Sequence, residues 1–336
     1  MSDTRTDESF GETYLQISPN ILETFPKFRP PVDLYVFDTK VGQVKKYHKA
    51  RERLSLKGQG EVADFALEGQ LYLLRDDYLV YAEHLSKQLG LLLVEEGFTP
   101  VEVAEILFLA FRNRVETFFD QPQEAAYKDL VKDISILAEY IWTDPARLAF
   151  LTRTLDREYN LAVHSVNTMF IGLAIYAKVT NGRFERNDLV NFALGFILHD
   201  LGMTMVPRFI KDKEQYLVRR DRESIQKHID AGLNMLKRLK VDTPVIIECM
   251  SQHHERLDGS GYPERRVGKG ISLAGRVCAL ADSFSAMIGE RPYRGPRGIT
   301  EAALSLTEEP TRYETVLAKI LAVIILEGEE DRAESC

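Results

Sequence analysis

The sequence holds three cysteines in 336 residues, and no two of them stand close enough to form a CxxC pair. Cys249, Cys278 and Cys336 therefore supply neither a disulfide framework nor a zinc knuckle, and they read as reduced thiols of a cytosolic protein. Positive charge is also short: 43 lysines and arginines face 51 aspartates and glutamates, a net charge of −8. That balance argues against a general binder of long nucleic acid. A small anionic ligand stays allowed, because metal ions or a few arginines can invert the local field. The most apolar stretch late in the chain, "VLAKILAVIIL", is interrupted by lysine and too short to span a bilayer. The opening "MSDTRTDESFGET" is polar and acid-rich, without the apolar core of a signal peptide. The expectation is a cytoplasmic protein with no membrane attachment.

What is present is ordinary globular material, 45% hydrophobic and 28% charged, enough for about two domains. Residues 1–24 read as a flexible lead. Residues 25–97 read as a small α/β regulatory module. Its strands are "VDLYVFDT" and "GQLYLLRDD", and its helical run "YLVYAEHLSKQLGLLLVEEG" closes on Gly97. The early acidic pair and late lysine of a response-regulator receiver are not evident, and His48 and His84 stand isolated. Residues 98–145 read as connecting helices, which either join the module to the rest or mediate dimer contacts. The first opens on "TPVE", with a capping threonine, proline at the first helical position and glutamate at the third.

Residues 146–330 keep the helical period throughout, in "NLAVHSVNTMFIGLAIYAKVTNG", "RNDLVNFALGFILHDLG", "DRESIQKHIDAGLNMLKRL", "TPVIIECMSQHHERLDG" and "SLAGRVCALADSFSAMIGERPYR". The second of these has an Asn or Asp as its expected cap. The fold class is thus mainly α: an all-α C-terminal domain preceded by a small α/β module and connecting helices.

Five of the seven histidines fall in this half: His164, His199, His228, His253 and His254. Asp200 follows His199 directly, and Asp282 sits among apolar residues in mid-helix. Imidazole with carboxylate suits iron, manganese or zinc. Seven such ligands exceed one tetrahedral zinc and fit two metals, the usual apparatus for attack on a phosphate ester. Taken singly, each feature has a plainer reading. A lone helical histidine is more often a satisfied core residue, "HD" is a common dipeptide, and "DGSGYP" can be a mere helix stop. Asp282 is stronger, because a carboxylate on a core face needs a cation to be tolerated.

The order of these pieces, from about Leu155 to Arg294, resembles the HD-GYP family of metal-dependent phosphohydrolases acting on cyclic di-GMP. "HHERLDGSGYP" fits HHExxDGxGYP at all eight fixed positions. The resemblance implies an HD-type helical domain with one metal on His164, His199, Asp200 and Asp282. It places a second on His228, His253 and His254, with Asp200 bridging; iron or manganese is usual. Tyr262 and Gly261 would then line the substrate site, and Arg291 and Arg294 would meet phosphate oxygens. Asp200 would orient a bridging hydroxide that attacks cyclic di-GMP, giving linear pGpG, GMP or both.

Two departures stand out. The lysine expected directly after "HDxG" is Met203, a loss of cationic stabilisation worth about two or three decades in rate. A glutamate that would support a third metal is replaced by Asn160, with Glu158 nearby. Three readings follow: an active phosphodiesterase, a metal-holding sensor of cyclic dinucleotides, or a hydrolase of another such ligand, for example cyclic GMP-AMP. Intact ligands favour the enzyme, since a site freed from catalysis has less need of seven costly buried polar groups. A homodimer and a signalling-protein partner stay open.

Overall fold

The computed structural model describes residues 13–23, 25–38, 42–86, 89–93, 97–158, 160–211, 213, 218–290 and 295–334. The chain divides into two compact units, Met1–Ala110 and Phe111–Cys336.

The first unit is built on four antiparallel strands: β1 (Tyr14–Gln16), β2 (Leu34–Asp38), β3 (Gln43–His48) and β4 (Leu71–Leu74), ordered β1-β4-β2-β3. Helices α1 (Pro19–Leu22), α2 (Leu56–Leu67) and α3 (Tyr78–Leu85) accompany them. The two expected strands are β2 and β4. Part of the expected flexible lead is ordered: Tyr14 pairs with Leu74, while Leu15, Ile17 and Ile21 bury their side chains in the unit's core. The run after Tyr78 is not one helix; it stops at Leu85, and a separate 3-10 turn follows at Leu89–Leu93. His48 meets the Glu52 carbonyl at 3.0 Å, an ordinary structural contact. The side chain of His84 lies outside the described residues.

Helix α4 (Pro100–Asp120) opens as its sequence predicts. The Glu102 amide donates to Thr99 Oγ1 at 3.3 Å, and Glu102 Oε2 accepts from the Thr99 amide at 2.8 Å.

The second unit is helical: α5 (Glu124–Thr143), α6 (Leu148–Leu151), α7 (Leu161–Val179), α8 (Arg186–Leu198), α9 (Arg208–Lys211), α10 (Arg219–Gln226), α11 (His228–Arg238), α12 (Pro244–Gln252), α13 (Leu273–Ile288), α14 (Ile299–Thr307) and α15 (Thr315–Glu334). At its centre α7 packs against α8, α13 and α15, so it is apolar on every side. By length and composition α7 could cross a membrane, but 83% of its apolar window is buried inside this unit. It ends on Asn181 and Gly182, both at positive φ, the expected Asn-Gly stop. Helix α8 starts from Glu185 rather than from an Asn or Asp: Asp188, three residues on, accepts the Glu185 amide at 3.2 Å. The expected single helix over "DRESIQKHIDAGLNMLKRL" breaks at Lys227, which places His228 at the head of α11.

Candidate active site

Each candidate ligand sits at a helix end or on a helix face aimed at one point. His164 lies in the first turn of α7, behind its cap Asn160, whose Oδ1 accepts the Ala162 amide at 2.7 Å. His199 caps the C-terminus of α8, and Asp200 leads into a 3-10 turn, Leu201–Met205. His253 caps α12, with His254 next, and Asp282 projects from α13 at 6% exposure.

One glycine lets these elements meet. A β-carbon on Gly202 would fall 1.8 Å from the His228 carbonyl oxygen and 2.6 Å from the Gly232 nitrogen. The "HDLG" glycine is therefore more than a helix stop: it lets the turn lie directly on α11 and brings Asp200 against His228.

The seven side chains fall into two groups that share Asp200: His164, His199, Asp200 and Asp282, and Asp200, His228, His253 and His254. Asp200 Oδ2 stands 3.7 Å from His164 Nε2 and 3.6 Å from His199 Nε2. Its Oδ1 stands 3.3 Å from His228 Nε2 and 3.6 Å from His253 Nε2. One carboxylate thus faces each group with a different oxygen. Asp282 Oδ1 lies 3.1 Å from His164 Nε2, and its Oδ2 lies 3.9 Å from His254 Nδ1.

The far nitrogens of three rings are pinned to backbone. Nδ1–H of His199 donates to Phe196 O at 2.7 Å, that of His228 to Ile225 O at 2.7 Å, and that of His253 to Cys249 O at 3.1 Å. These bonds fix each ring's orientation and turn its Nε2 inward.

Electrostatics agree. Burial would raise the carboxyl of Asp200, but His199, His253 and His228 hold it well below the usual range. Asp282 is likewise held well below it, against burial, by His164, His199 and His254. Burial pushes His254 well down and His228 down. Burial also opposes the proton on His199, yet the Asp200 and Asp282 carboxylates carry it up to about 9.

The donor set fits cations. His199 Nε2 and Asp200 Oδ1 are fully buried, and neither has a hydrogen-bond partner. Orphaned buried donors and acceptors are costly, and a bound cation removes that cost. Two such groups sharing one carboxylate match a dinuclear site of imidazole and carboxylate donors.

A third ion finds less. Asn160 is occupied as the α7 cap and donates Nδ2–H to Glu116 Oε1 at 2.7 Å. Glu158 pairs with Arg112 at 2.8 Å, and Glu116 and Asp156 face the same guanidinium at 3.4 and 3.9 Å.

The loop after the histidine pair is held by residues that the sequence reading passed over. Glu255, 1% exposed, accepts the Glu264 amide at 2.7 Å on Oε1 and the Arg266 amide at 2.9 Å on Oε2. It clamps the turn and is no metal ligand. Arg256 donates to the carbonyls of His253 and Glu255 and to Ser283 Oγ, tying the loop to α13 beside Asp282. Only the placement of Glu255 inside the matched motif could have signalled a role. Gly261, expected in the substrate set, packs tightly: a β-carbon there would lie 2.4 Å from His254 O and 2.5 Å from Glu255 Cα. Tyr262 then stacks on His254, ring centroids 4.5 Å apart. Arg291 and Arg294 lie outside the described residues.

Two cavities open beside the cluster. One, of about 350 Å³, is lined by His164, Asp200, Met203 and Asn160. The other, of about 440 Å³, is lined by His164, Asp200, Met203, His254, Tyr262 and Asp282.

Residues 170–316 match the family model described as HD domain. The chain is 37% identical over 108 residues to a cyclic di-GMP phosphodiesterase of Thermotoga maritima, covering 31% of this chain and 29% of that protein. It is 30% identical over 182 residues to a cyclic di-GMP phosphodiesterase of Pseudomonas aeruginosa, covering 54% of this chain and 42% of the other. Over this stretch the chain carries an HD domain and is similar to HD-GYP phosphodiesterases. A 3′3′-cGAMP-specific phosphodiesterase of Vibrio cholerae is 39% identical over 100 residues, covering 30% of this chain and 19% of that enzyme. The chain thus spans less than half the length of these curated relatives. Among solved structures, a HDG"Y"P protein from Bdellovibrio bacteriovorus shares the fold, with a TM-score of 0.62 at 18% identity, over 93% of this chain and 99% of the other. The His/Asp cluster is the divalent-metal-binding feature expected of an HD domain.

Proposed function

We propose that this chain is a metal-dependent phosphodiesterase that opens cyclic di-GMP to linear pGpG, and on to GMP in a second round. The observation that carries this reading is the pair of ligand groups joined through the two oxygens of Asp200, beside cavities large enough for a nucleotide's phosphate and sugar. Bound divalent ions, iron or manganese as the family resemblance implies, would acidify a water and neutralise phosphoryl charge. His164, His199, Asp200 and Asp282 would hold one ion, and His228, His253, His254 and Asp200 the other. Asp200, held ionised, orients the attacking water by accepting a hydrogen bond from it. Tyr262 walls the cleft through its stack on His254 and positions the dinucleotide. The water oxygen bonds to phosphorus as the P–O3′ bond breaks, and the 3′ oxygen leaves with a proton. The reduced cysteines fit action in the cytoplasm. The names of the Vibrio cholerae relatives make cyclic GMP-AMP the second substrate to assay.

Met203 favours a second reading, a sensor that binds the dinucleotide without turnover, because its uncharged side chain lines both cavities. Anaerobically purified protein, assayed for metal content and for turnover of cyclic di-GMP, decides between them. Two metals per chain with linear product supports the enzyme. Two metals with tight binding and no product supports the sensor.

A further inference from the structure

The site has a methionine where a cation is expected, yet a cation stands beside that methionine. After the turn Leu201–Met205, Pro207 starts the short helix α9, whose Ile210 is buried at 7% exposure. With Ile210 anchored inward, Lys211 folds back over the turn, and its Nζ donates to the backbone carbonyl of Met203 at 3.2 Å. Lys211 lines both cavities that open on His164 and Asp200. It is the one cationic side chain among the described residues common to the two. Arg208 lines only the first cavity, and Arg256 and Arg312 only the second, where Arg256 ties the loop carbonyls and Arg312 pairs with Glu309 at 2.6 Å.

We propose that Lys211 is the phosphate-contacting cation of this site, supplying from α9 what position 203 lacks; this rests on the cyclic-dinucleotide reading above. An ammonium carries three N–H donors, so a bond to the Met203 carbonyl and one to a phosphoryl oxygen are compatible. The carbonyl bond restrains a long side chain that would otherwise lose rotamer freedom on meeting ligand. A charge held at the mouth of a partly desolvated cleft acts more strongly than one in water. The Met203 thioether, with no charge of its own to repel the ammonium, leaves that place to Lys211.

The test compares the wild type with Lys211→Met, Lys211→Arg and the swap Met203→Lys/Lys211→Met, all metal-loaded. Each is measured for metal content, melting temperature, kcat, KM and the equilibrium Kd for cyclic di-GMP. Lys211→Met is expected to lose about 100-fold in kcat/KM, with metal content and melting temperature unchanged. Lys211→Arg should keep most activity, and the swap should regain it. A role confined to bracing the turn would give no such rescue. Unchanged kcat/KM in Lys211→Met, with an active wild type, overturns the proposal and leaves the hydrolase reading standing. A wild type that binds without turnover, and weakens about tenfold in Kd on Lys211→Met, ends the hydrolase reading and keeps the contact. Metal loss or unfolding in Lys211→Met without rescue by the swap makes Lys211 a brace and overturns the proposal, as does a wild type that neither binds nor cleaves.

Discussion

The α-carbon of Gly202 rests on the carbonyl of His228, so closely that a single methyl group at 202 would sit 1.8 Å from that oxygen. The obstacle is backbone on both sides, which cannot rotate away. Gly202→Ala is therefore expected to push the Asp200 turn off α11 and to separate Asp200 from His228. Overpacking of this kind costs about 1–3 kcal/mol. Melting temperature and metal content should fall together, and a variant that melts like the wild type with full metal would refute the role assigned to Gly202.

Asp200 is the residue both ligand groups share. Asp200→Asn should lower occupancy of both ions, whereas Asp282→Asn should deplete mainly the His164–His199 side and His228→Ala mainly the other. Elemental analysis of the three variants distinguishes a shared carboxylate from two independent sites. Equal losses in all three would contradict the division.

Removing the metal should loosen the second unit. An ion that binds only the folded chain adds about 2.7 kcal/mol at a hundred times its Kd. Chelation should lower the melting temperature by several degrees, and readdition of Mn²⁺ should restore it. A melting curve indifferent to chelator would speak against ion binding.

Proton and metal compete for His199. Its proton is held up to about 9 by the two carboxylates, against burial, while coordination needs the neutral ring. From pH 6 towards 9 the apparent metal affinity should rise about tenfold per pH unit from this group, then level off. The metal-free protein should trend the other way. A raised histidine pKa gives stability that is complete below the unfolded value, about 6.5, and is lost as pH rises through 9. Melting curves with and without metal across this range should diverge; parallel curves would remove His199 from the ligand set.

Glu255→Gln isolates the loop clamp. The amide keeps one acceptor but presents N–H groups where the carboxylate took a second hydrogen bond, and a charge-assisted bond is worth about 1.5–3 kcal/mol. With the Glu264 and Arg266 amides no longer both satisfied, Tyr262 should lose its fixed place. KM should rise while metal content stays full. Loss of metal in this variant would place Glu255 closer to the ions than the clamp implies.

The ligand cluster was legible in the sequence because its chemistry is rare. Five histidines in one helical half, an aspartate after one of them and another on a core face have few joint explanations, and their order matched a known pattern. The helices were legible by period and caps, down to the Thr99–Glu102 reciprocal bonds. Strand β1 was not, since three residues carry no periodicity and depend on pairing with β4, far along the chain. The break at Lys227 was equally hidden, because an amphipathic pattern runs unbroken through it. Glu255 and Lys211 act on partners known only once the loop and turn are folded, and the motif that names Gly261 does not show how closely it packs on His254 and Glu255.

The histidine bonds to Phe196, Ile225 and Cys249 have an evolutionary reading. Those carbonyls lie one turn earlier in the same stretch of chain, at helix ends, so each ring braces the backbone that carries it. His199 and His253 thus finish their own helices, whatever else they hold. A descendant that ceased to cleave its ligand would keep these rings as architecture, so an intact cluster alone is poor testimony of turnover. A survey for silent members of the lineage should therefore begin at the proposed phosphate contact, position 211, rather than at the histidines.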